Sequence, residues 1–141
     1  MIERDYIMRI VQDFFNAIAK LIRLNTEDPD TSHIQARFND MYKQFFRHPA
    51  THFYETDKEV ISSDLEKEGR NERDTLEKMQ MLSELLYQDG LIKTSIPEKC
   101  MILEKSLYLL DYLNRNSRTY SWDRGRKMMD IKKILTEFEI R

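Results

Sequence analysis

The sequence predicts an all-α fold of five to six antiparallel helices, and three observations carry that expectation. Apolar residues recur at helical spacing along most of the chain. Its 141 residues include only three glycines and three prolines, too few punctuators for a many-turned β-sandwich or barrel. The third observation is the stretch from Leu76 to Leu113, which is apolar on more than one side. A helix with two apolar faces must be covered from both, so this stretch is expected at the centre of the fold.

Ile2 to Leu24 forms the longest helical pattern. Tyr6, Ile7, Ile10, Val11, Phe14, Ala17, Ile18, Leu21 and Ile22 fall on one side, and charged residues take the other. Acids and bases mix on that polar face, which fits a core-facing helix better than a membrane-surface one. Asn25 to Asp30 is a run of turn formers. A second helix then starts with Thr31 or Ser32 as its N-cap, carries Ile34, Phe38, Met41, Tyr42 and Phe45 inward, and ends at Pro49. These two make a helical hairpin over 2–48.

Residues 49–71 are the least legible. Phe53, Tyr54, Val60, Ile61 and Leu65 mark a short helix near Asp57–Glu68, preceded by an aromatic turn and broken by Gly69-Arg70-Asn71. The central hairpin spans 72–115. Its helices read as Leu76–Asp89 and Glu98–Asn114, joined through Gly90 and broken again by Pro97. The second places Ile102, Leu103, Leu107, Leu109, Leu110 and Leu113 on one broad face, with Met101, Tyr108 and Tyr112 opposite. Ser106, small within a leucine-rich face, marks a close helix approach. The last helix lies within 121–140, with Ser121 as N-cap and Asp123 in its first turn, where a negative charge suits the helix dipole. Met128, Ile131, Ile134, Leu135 and Phe138 form its inner stripe; Trp122 and Met129 sit off it, on one side. The whole reads as a single domain, a normal size for one core.

Composition narrows the function classes. The one cysteine, Cys100, forms no internal disulfide, which suggests a reducing compartment, and cytoplasmic localisation is the expectation. No run of about 18 apolar residues is present, so no spanning helix and no membrane partner are expected. Net charge is −2, but it is unevenly spread. Residues 55–89 hold eleven Asp/Glu against five Lys/Arg, and residues 115–133 hold seven Lys/Arg against two Asp. Such asymmetry steers a partner or lets two parts of one fold face each other.

Catalytic signatures are missing. His48 and His52 have the four-residue spacing of a helical metal pair, but Pro49 separates them and no glutamate stands where a zinc hydrolase needs one. Cys100 lies on an apolar face as a small hydrophobe. Acidic pairs such as Asp64/Glu68 sit among lysines and arginines as solvated surface. The phosphate-cradling and nucleophile-elbow glycine motifs do not occur. The expectation is therefore no enzyme, no catalytic residue, no cofactor and no metal.

Two stretches resemble a family of small all-α bacterial proteins of unknown function. One is the opening Met1-Ile2-Glu3-Arg4-Asp5-Tyr6-Ile7-Met8-Arg9. The other joins Leu82-Ser83-Glu84-Leu85-Leu86-Tyr87-Gln88-Asp89-Gly90 with Leu103-Glu104-Lys105-Ser106-Leu107 and Thr119-Tyr120-Ser121-Trp122-Asp123-Arg124. The resemblance implies a degenerate tetratricopeptide-like stack of helical hairpins, a form that commonly presents a surface to other proteins. The repeat signature itself is not reproduced, and no second copy occurs at a period near 34 residues.

The function expected is thus protein–protein interaction or scaffolding, with self-association into a homo-oligomer. Candidate partner-binding residues are Met101, Tyr108, Tyr112, Trp122, Arg124 and Arg126, because aromatic, Met and Arg residues are enriched where proteins meet. The alternative is a nucleic-acid-associated regulator using the basic tract Arg115, Arg118, Arg124, Arg126, Lys127, Lys132 and Lys133, with Tyr112, Tyr120 and Trp122 available to stack bases.

Overall fold

A computed structural model describes residues 2–27 and 31–138, with side chains described for 6–27 and 33–138. Seven helices and no strand are present among these residues: α1 (Ile2–Glu27), α2 (Thr31–Phe46), α3 (Ala50–Glu55), α4 (Lys58–Glu68), α5 (Glu72–Ile92), α6 (Ile96–Asn116) and α7 (Trp122–Glu137). Thr31 and Ser32 already lie within α2, where one of them was expected as the cap before it, and α1 runs on through the first half of the expected Asn25–Asp30 turn; residues 28–30 lie outside the described residues.

Helix α5 occupies the centre, packing on α1, α2, α4 and above all α6. Met79, Met81, Leu82, Leu85 and Leu86 on α5 and Ile102, Leu103, Leu109 and Leu113 on α6 are all but inaccessible to water. Burial of so many large side chains stabilises this pair by about 1.5–3 kcal/mol apiece before entropy is charged against it. The close approach expected at Ser106 is present: its Oγ donates to the Ser83 carbonyl at 2.8 Å, across the α5–α6 contact. An aromatic cluster joins the upstream hairpin to α3. Phe14 meets Phe45 edge-on at 5.2 Å, and Tyr42 stacks on Phe53 at 5.5 Å.

Three further sequence expectations need correction. There are seven helices among the described residues where five to six were expected, because the aromatic turn before α4 is itself the short helix α3. Gly90 does not join the central hairpin; it lies buried inside α5, which continues to Ile92. A Cβ there would meet Leu103 Cδ2 at 2.7 Å. The usual cost of a helical glycine, about 1 kcal/mol, is offset here by letting α6 come close. Pro97 does not break a helix either, since it sits in the first turn of α6, where its missing N–H would have no partner anyway.

Helix ends otherwise follow local chemistry. Asn71 caps α5 by accepting from the Asp74 N–H at 2.8 Å, and Ser121 caps α7 by accepting from the Arg124 N–H at 3.1 Å. After α2 the chain turns through Arg47, whose φ is 62°, a left-handed conformation uncommon for a side chain of this size. The inner stripe of α1 is narrower than its pattern suggests. Phe14, Ile18 and Leu21 are buried, but Tyr6 and Ile22 are exposed. Tyr6, Ile7, Ile10 and Asp13 of α1 line an open cleft.

Candidate functional site

The six candidate partner-binding residues fall into three different environments. Met101, Tyr108 and Tyr112 are half-buried on α6, and the two tyrosines stand beside residues of α4. Lys58 Nζ of α4 stands 5.7 Å from the centre of the Tyr108 ring. Burial raises the Tyr112 pKa above its ordinary value, and the neighbouring Glu66 and Glu72 carboxylates push the same way. This strip is therefore partly covered from within. Arg124 is buried: its Nε donates to Asn114 Oδ1 at 2.8 Å and its Nη2 to the Thr119 carbonyl at 2.8 Å. It fastens the α6–α7 turn, and little of it faces outward.

Trp122 is the opposite case. It is 82% exposed at the first turn of α7, with Tyr120 at 73% and Met129 at 73%. The Tyr120 and Trp122 rings meet edge-to-face at 5.5 Å. Arg126 lies on the same helix, exposed, and pairs with Asp123 at 2.7 Å. No ring contact joins Trp122 to the α6 strip among the described residues.

The basic tract is divided by the fold. Arg115 pairs with Asp111 at 3.0 Å, and Lys127 bonds Glu84 of α5 and reaches Asp123 at 2.8 Å. With Arg124 and Arg126 also engaged, Arg118, Lys132 and Lys133 are the members of the tract that make no ion pair or hydrogen bond among the described residues.

The chain matches no protein-family model, no curated protein and no solved structure. The resemblance to a tetratricopeptide-like family rests on the residues alone.

Two polar features escape sequence reasoning. The first is centred on Asp89, whose side chain is fully buried in α5. One carboxylate oxygen accepts from Tyr42 at 2.7 Å and also from Tyr54. The other accepts from Gln35 Nε2 at 3.3 Å and lies 3.4 Å from Lys93 Nζ. Lys93 also donates to Gln35 Oε1, and its Nζ stands 4.9 Å from the centre of the Tyr54 ring. Four donors around one carboxylate supply the pairing that a buried charge requires. The cluster ties α2, α3 and α5 together, and no buried polar side-chain atom among the described residues is left without a partner. The second feature is Lys105 of α6, which donates to the carbonyls of Phe53 and Tyr54 at 2.8 Å each and of Thr56 at 2.5 Å. A cation thus closes the C-terminal end of α3, where the helix dipole is negative.

The tyrosines at these joints resist ionisation. Burial raises the Tyr42 and Tyr54 pKa values well above the ordinary 10.0, and Asp89 adds to the effect. Burial, with Asp130 beside it, pushes Tyr87 up to about 12. A pKa raised by folding contributes stability that is intact below the unfolded value and is lost as pH rises through the folded one. The protein should therefore lose stability progressively above pH 10, with tyrosinate absorbance from these residues appearing only together with unfolding. Smooth titration of all seven tyrosines on a still-helical chain would contradict this.

An open cleft of about 1060 Å³ is lined by residues of α1, α2, α3, α4 and α5. Phe45, Phe46, Phe53, Ile61 and Leu65 are among its apolar lining. His48 and His52 also line it, their rings stacked 4.0 Å apart. No group of three His, Cys, Asp or Glu side chains fit to hold a metal occurs among the described residues. The cleft does not reach Asp89. Among the described residues, no helix is long and apolar enough to cross a membrane.

Proposed function

We propose that the protein is a non-enzymatic interaction module, a stack of helical hairpins in the tetratricopeptide manner, that meets protein partners through the outward face of α7. The observation that carries this reading is Trp122. A large amphipathic ring held 82% exposed on a capped helix is the kind of anchor that dominates interface energetics. Tyr120 and Met129 enlarge the apolar patch, and Arg126, Lys132 and Lys133 supply a charged rim. Met101, Tyr108 and Tyr112 are half-buried, with Lys58 and Glu66 of α4 beside the two tyrosines, so the docking role shifts from α6 to α7.

Nucleic-acid binding through the basic tract is the weaker reading. Internal pairing leaves few cations for phosphate, and it predicts a salt dependence of correspondingly shallow slope.

Trp122→Ala should weaken partner binding by about ten- to a hundredfold while leaving stability within about 0.5 kcal/mol. Trp122 is the single tryptophan, so its emission should shift to the blue when a partner covers it. Retention of the same cross-linked partners, in the same yield, by Trp122→Ala would refute the reading.

A further inference from the structure

We draw no further inference here: the strongest candidate, the open cleft lined by α1 to α5 with the stacked His48 and His52 rings on its wall, is faced by carboxylates and by Lys and Arg cations in equal number, and nothing in the structure shows what covers it.

Discussion

Asp89→Ala should destabilise the protein by about 3–5 kcal/mol, measured by chemical denaturation. The substitution removes the shared acceptor of Tyr42, Tyr54 and Gln35 and the counter-charge of Lys93. It leaves Lys93, with 9% of its side chain exposed, only Glu98 at 3.7 Å as a carboxylate partner. A buried ion pair is not itself a strong stabiliser, but breaking one leaves an uncompensated charge. Asp89→Asn should cost less, because an amide of the same shape still accepts from the tyrosine hydroxyls. Equal effects from the two substitutions would mean that the negative charge, which both remove, and not shape or the neutral hydrogen bonds, sets the role of Asp89.

Lys105→Ala should cost about 2–4 kcal/mol. Three carbonyls at the end of α3 lose their donor, and each buried acceptor left without one costs about 1–3 kcal/mol, partly relieved by water. Lys105→Met separates the contributions, since it keeps the apolar stem and removes only the ammonium. If Lys105→Met matches the wild type in denaturation midpoint, the cap contributes nothing and packing of the stem is the whole effect. Lys105→Arg should fall between, because a planar guanidinium cannot reproduce three converging bonds from one nitrogen.

The all-α class, the long amphipathic helices and the central hairpin are legible in the sequence because their signal is periodic apolar burial. Phe14, Ile18, Ile34, Phe38, Met79, Leu82, Ile102 and Leu113 all repeat at helical spacing and all are buried. Ser121 and Asn71 are legible as punctuation, since capping is local chemistry. Gly90 misleads for the opposite reason. Its local preference is to end a helix, and only the approach of Leu103 from α6 explains why it stays within one. Non-local contacts of that kind leave no mark at the residue itself.

The candidate site was legible in part for the same reason. Trp122 and Met129 stand off the stripe of α7, and the pattern alone places them outside the core, where the structure finds them. Arg124 looks identical to Arg126 in sequence, yet one is buried and the other exposed. The difference arises from Asn114 and the turn carbonyl at Thr119, neither of which has a helical period. Asp89 did leave a trace: it is an acid embedded in Leu85-Leu86-Tyr87-Gln88-Asp89-Gly90-Leu91-Ile92, with Lys93 one turn on. An acid in such a run, paired at that spacing, is either a helix terminus or a buried hub. Reading Gly90 as a stop selects the wrong one.

The Asp89 cluster also divides the molecule dynamically. By joining α2, α3 and α5 through one carboxylate, it should make those helices open together as one cooperative unit. Helix α7 buries only Met128 and Ile131 among its apolar side chains and is fastened by Lys127 and Arg124. It buries far fewer apolar side chains than α5, and its backbone amides should exchange with solvent hydrogen well before those of α5. On the proposed reading, the helix that carries the exposed tryptophan should adjust to a partner without loosening the core behind it.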